Sequence, residues 1–181
     1  MSYQIQEINR RIQADPKEFV DACDAAYAEK IERAARAIAE NVRTCPIVLL
    51  SGPSGSGKTT VTCAVLQALI SRGLRVGAAK CGPDYIDPMF HSRVIGAKSS
   101  NLDSFFFDRD TMRYLLAHNG QDCDITVIEG VMGYYDGLGL TSTRASTYET
   151  ARETESPVVL VVNARGAALS VVAGGVGFFL F

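Results

Sequence analysis

Residues 52–59, Gly-Pro-Ser-Gly-Ser-Gly-Lys-Thr, constrain what this chain can fold into more than any other stretch. They satisfy GxxxxGK[ST] in full. They stand between an apolar run, PIVLLS (46–51), and a helix-like run closed by Gly73, KTTVTCAVLQALISRG (58–73). Strand, glycine loop and helix in that order make a phosphate cradle: the glycines let backbone N–H groups curl round phosphates, and the helix start adds partial positive charge. Lys58 is placed to reach the β- and γ-phosphates, and the Thr59 hydroxyl to ligate Mg2+. Gly52, Ser54, Gly55, Ser56, Gly57 and Thr60 complete the loop, so ATP with Mg2+ is expected.

The rest of the chain alternates in the same way. RVGAAK (75–80), DITVIEG (124–130) and PVVLVVNA (157–164) are largely apolar strands, and RDTMRYLLAHNG (109–120) and STYETARETE (146–155) are helices. The expected fold class is α/β, a P-loop NTPase-type doubly wound, mainly parallel sheet with an added N-terminal helix. Residues 1–44 form a helical extension rich in Ala and Glu and free of Gly, and 45–181 form the nucleotide-binding domain. In the extension, Asp15 is an N-cap candidate, with Pro16 at the first helical position and Glu18 three residues after the cap. A stripe from Phe19 through Cys23, Tyr27, Ile31 and Ile38 to Val42 makes a helix ending near Arg43, expected to dock on the following domain or to pair with a second copy in a homodimer. The run from Ala168 to Phe181, ALSVVAGGVGFFLF, is shorter than the roughly 20 residues of a membrane span and reads as a core element of a chain cut short at its C-terminus.

A net charge of −2 with 21% charged residues gives no electrostatic case for nucleic acid or an anionic membrane. Five well-separated cysteines with no CxxC pair, and no apolar segment near the N-terminus, point to reduced thiols and a cytoplasmic protein.

A P-loop supplies only the nucleotide end of a reaction. The acceptor end is sought in KCGPDYIDPMFH (80–91), which starts as the second strand ends, on the same sheet edge as the P-loop. Lys80 there can face a phosphoryl group in transfer; Asp84 and Asp87 can bind Mg2+ or orient an incoming carboxylate or amine. Alone, DxxDP is a turn capped by aspartates; beside a P-loop it reads as functional. The third element is VIEGVMGYYDG (127–137): Glu129 at a strand's carboxyl edge is the expected second anchor for Mg2+, while Asp136 reads as a turn residue.

GPSGSGKTT, KCGPDYIDPMFH, NLDSFFFD (101–108), VIEGVMGYYDG and PVVLVVNARGAALS occur in order. Together they resemble the N-terminal ATP-binding domain of the cobyrinate a,c-diamide synthase family, in the superfamily of dethiobiotin synthetase, over about residues 47–176. The resemblance implies an ATP-dependent carbon–nitrogen ligase. It would amidate the a and c acetate side chains of cobyrinate or hydrogenobyrinate through an acyl phosphate, with ammonia drawn from glutamine by a glutaminase domain that these residues do not include. On matching positions it implies catalytic roles for Lys80, Asp84, Asp87 and Glu129, and Mg2+ at Thr59, Asp87 and Glu129. It further implies a corrinoid region at Asp84, Tyr85, Ile86, Asp87 and Ser104, with Ser146 and Thr147 in segments facing the site. Pro53 stands where partition-type ATPases carry an extra lysine, which argues against that branch. Residues 1–44 lie outside the resemblance, and the helix with the P-loop that follows it has a uridine-kinase-like flavour. Asn163, where the family often has Asp, is no evident substitute for the adenine-binding asparagine of a later strand. Two other readings stand beside the ligase: a P-loop kinase for a small, nucleoside-like molecule, and a non-catalytic ATPase module.

Overall fold

The computed structural model describes residues 4–139 and 141–162; Asn163 and the apolar run 168–181 lie outside the described residues. Two helices come first, α1 (Ile5–Ala14) and α2 (Pro16–Asn41). The α/β part follows as β1 (Ile47–Ser51), α3 (Lys58–Ser71), β2 (Val76–Cys81), α4 (Ile86–Phe90), a π-helical turn (His91–Ile95), β3 (Lys98–Leu102), α5 (Arg109–Gly120), β4 (Ile125–Glu129), α6 (Thr147–Thr154) and β5 (Val158–Leu160). The strands form one sheet in the order β3-β2-β4-β1-β5, and every pairing is parallel. The expected α/β class and parallel sheet are what the chain forms.

Both faces of this sheet are covered, which is why its central strands are apolar throughout rather than alternating. Val48, Leu50, Val76, Ala78, Ile125 and Val127 pack beneath α2 and α3; Leu49, Ala79, Cys81 and Ile128 pack with Leu102 and with Met112, Leu116 and Ala151 of α5 and α6. The N-terminal stripe docks on the domain. Ala35 is fully buried, Ile31, Ile38, Ala39 and Val42 join the first of these clusters, and Glu32 pairs with Arg72 at the end of α3.

Local signals explain the helix starts. The Asp15 carboxylate accepts from the Lys17 and Glu18 amides at 2.9 and 3.0 Å, with Pro16 at the first helical position, and Asp108 caps α5 by accepting from Thr111 N at 2.8 Å. Helix α1, β3, α4 and the π turn carry no such signal and are additions to the sequence reading. Among the described residues no helix is long and apolar enough to cross a membrane.

Candidate functional site

Strand order and register bring the chemistry together. Leu50, Glu129 and Lys80 are register partners on the adjacent strands β1, β4 and β2. Side chains alternate along a strand, so Lys80 and Glu129 fall on the same face as Ala78 and Val127, the face covered by α3. Helix α3 begins with Lys58 and Thr59, immediately after the loop. Gly55 and Gly57 take φ of +75° and +84°, the left-handed backbone that lets the loop curl into the helix start. Gly130 is required for a different reason. A Cβ there would sit 2.6 Å from Thr147 Cγ2, because the chain leaving β4 passes tightly under α6.

The result is a buried polar cluster. Lys80 Nζ donates to Asp87 Oδ2 at 2.6 Å and to Glu129 Oε1 at 2.9 Å, and Thr59 Oγ1 donates to the same Glu129 oxygen at 2.6 Å. Asp84 stands farther off, 3.8 Å from Lys80, and its other oxygen accepts from Ile86 N, fixing the turn. Lys80 and Glu129 are buried; Glu129 is fully so, which removes the exposed strand-end alternative.

The electrostatics follow from this packing. Burial alone would lower the Lys80 ammonium, but its bonds to Asp87 and Glu129 hold it above the ordinary lysine range, so it stays charged. Asp87 is likewise pushed up by burial and pulled further down by Lys80, ending below the ordinary carboxyl range. Burial pushes His91 below the usual imidazole value against the opposing pull of Glu129 and Asp87. Cys63, one turn into α3, is raised by burial and by the charges of Glu129 and Asp87, so its thiol stays protonated.

Other expected residues lie at the rim. Tyr85 and Ile86 are exposed at 75% and 60%, with Phe105 and Phe106 also exposed in the turn after β3. Ser104 occupies that turn and gives no hydrogen bond to the Lys80 cluster. Ser146 caps α6 by accepting from Glu149 N, and Thr147 Oγ1 clamps both backbone atoms of Val131 at 2.9–3.0 Å, so that the Thr147 hydroxyl holds the loop after Glu129. Asp136 is a turn residue, as expected, accepting from Gly133 N.

Two contributors have no role in the sequence reading. Asn101 Nδ2 donates to the carbonyls of Gly82 and Asp84, tying the Asp84 turn to β3; its signal was only its place in NLDS. His91 was visible only as the last letter of KCGPDYIDPMFH.

The donor set fits a nucleotide with a divalent cation. Thr59 and Glu129 offer hard oxygens side by side, and Ser56 Oγ inside the loop is buried without a hydrogen-bond partner. Among the described residues no three His, Cys, Asp or Glu side chains gather into a protein-only metal cage. A cation held by these oxygens would share its coordination with phosphates, as Mg2+ commonly does.

Comparison with known proteins places most of the chain in one family. Residues 47–165 match the family described as CobQ/CobB/MinD/ParA nucleotide binding domain. Cobyrinate a,c-diamide synthase of Listeria monocytogenes is 47% identical over 136 residues, covering 75% of this chain and 30% of that protein. Hydrogenobyrinate a,c-diamide synthase of Streptomyces coelicolor is 44% identical over 132 residues, covering 73% and 27%. The chain therefore spans about 30% of the length of such relatives. The hydrogenase maturation factor HypB from Archaeoglobus fulgidus superposes with a TM-score of 0.39 at 13% identity, covering 86% of this chain and 100% of that one. The resemblance carried by the motifs is borne out by the family match and by the two synthases. With the P-loop, Lys80 and Glu129 all inside a match over more than half of its length, the chain belongs to the CobQ/CobB/MinD/ParA nucleotide-binding domain family.

Proposed function

We propose that this chain is the ATP-dependent part of an enzyme that amidates side-chain carboxylates of a corrinoid, the a and c acetates of cobyrinate or hydrogenobyrinate. The observation that carries this reading is the junction of Thr59, Lys80, Asp87 and Glu129 at one sheet edge, within a segment 47% identical to a cobyrinate a,c-diamide synthase.

A substrate carboxylate oxygen attacks the γ-phosphorus of ATP as the bond to the β–γ bridging oxygen breaks, giving an acyl phosphate and ADP. Ammonia then attacks the acyl carbon, phosphate leaves, and the nitrogen loses a proton to yield the amide. In this scheme the P-loop amides and Lys58 bind the phosphates, and Lys80 faces the phosphoryl group in transfer. Such a reaction needs placement and charge neutralisation more than covalent help. Thr59, Asp87 and Glu129 would hold Mg2+, which neutralises phosphate charge when bound. Asp84, Tyr85, Ile86 and Ser104 would line the acceptor side, where the exposed rings and aliphatic chains suit the apolar faces of a macrocycle. Ammonia would come from glutamine through a glutaminase that residues 1–181 are not proposed to supply.

The test is phosphate release by the full chain with ATP, Mg2+ and ammonium, with and without cobyrinate. Release that depends on cobyrinate and is lost in Lys80→Ala is expected. Release indifferent to cobyrinate, with ATP consumption rising on addition of a nucleoside, would replace the ligase with a kinase.

A further inference from the structure

His91 is a buried, polar residue that the cluster described above leaves without a task. Its ring is 1% exposed, and neither ring nitrogen has a hydrogen-bond partner. Nε2 lies 3.5 Å from Glu129 Oε2, itself buried and also without a hydrogen-bond partner. Two orphaned polar atoms this close, in a site this dry, are costly unless they serve each other. The placement is built. His91 opens the π turn and is buried, as are Pro88 before it and Ile95 after it, and the His91 carbonyl accepts from Ala97 N at 2.9 Å.

Glu129 has two oxygens with different surroundings. Oε1 receives Lys80 and Thr59, while Oε2 accepts no hydrogen bond and lies 3.5 Å from His91 Nε2. A neutral imidazole set against a carboxylate must present N–H rather than its lone pair. We propose that His91 is a positioning residue: its Nε2–H donates to Glu129 Oε2 and holds the carboxylate with Oε1 turned to Thr59, the oxygen that a nucleotide-bound divalent cation would use. The outer partners of metal-binding carboxylates act in this way, and their loss commonly weakens the metal site about 10- to 100-fold. The inference rests on the nucleotide and Mg2+ part of the proposed function and not on the identity of the acceptor.

The test measures the affinity of the full chain for ADP by titration calorimetry, once with Mg2+ and once with EDTA, and takes the ratio. His91→Leu is expected to cut the Mg2+ enhancement about tenfold while leaving affinity in EDTA unchanged. His91→Gln, whose amide can stand near the Nε2 position, restores most of the enhancement; His91→Asn, whose amide stands nearer Nδ1, does not. A wild-type enhancement retained by His91→Leu, an equal loss with and without Mg2+, or no enhancement in wild type overturns the proposal. If His91→Leu fails to fold, the Gln and Asn pair decides, and Asn rescuing as well as Gln overturns it. No corrinoid enters this experiment, so failure of cobyrinate-dependent phosphate release leaves its outcome readable.

Discussion

Lys80 and Cys81 are neighbours in β2, point to opposite faces and meet opposite fates. Lys80 turns to the α3 face and is charged because Asp87 and Glu129 wait there. Cys81 turns to the α5–α6 face, where burial pushes its thiol up to about 12, against a smaller downward pull from a hydrogen bond with Thr150 and from the Lys80 charge. The raised value has a definite sign for stability. Below the ordinary thiol range both folded and unfolded chains keep the proton. As pH rises above about 9 only the unfolded chain releases it, so stability falls from there up to about 12. Urea unfolding across that window should show the decline, and Cys81→Ala, although less stable overall, should show less of it. Equal slopes in the two proteins would contradict the burial of a neutral thiol. At this scale the sequence was informative where a residue type is demanded by its neighbours: glycines before Lys58, a carboxylate at the end of an apolar strand. It was silent on His91, whose importance arises from a π turn and a contact across 38 positions of chain, neither of which leaves a periodic trace.

Elements were legible in proportion to their apolar pattern and their caps. Strands β1, β2 and β4 are buried along almost their whole length, and α2 and α5 begin at Asp15 and Asp108 as their side-chain chemistry requires. Strand β3 escaped because Lys98–Asn101 is polar and, of its five residues, only Leu102 is buried; an edge strand needs no more. Helix α1 escaped because it buries nothing. The docking of α2 can be tested at Ala35, which has no exposed surface against α3. Ala35→Leu should overpack that contact and cost about 1–3 kcal/mol, read as a lower urea midpoint. An unchanged midpoint would mean that α2 is not part of the folding unit.

For the whole molecule, sheet order was the part that no local pattern could supply. Strands β2 and β3 are neighbours in both chain and sheet, but β4 inserts between β1 and β2, and only that order sets Lys80 beside Glu129. The order also ranks stability across the molecule. Hydrogen exchange should be slowest at Ile125–Glu129, which is paired on both sides, slower than at the edge strand Lys98–Leu102, and fastest among the helices at α1. Edge amides as protected as those of β4 would contradict the topology.

The pairing of Lys80 with Glu129 has a consequence beyond chemistry. The central strands are short and built from similar apolar residues, so sliding one past another by a single position would preserve their oiliness almost unchanged. It would not preserve the ion pair. A one-place slip of β4 turns Glu129 toward α5 and α6, away from Lys80 and Thr59, and leaves its buried carboxylate without a partner, a far larger penalty than any misfit of methyl groups. The buried cluster thus doubles as a locating pin for the sheet, and a chain that has folded out of step has, by the same error, taken that cluster apart.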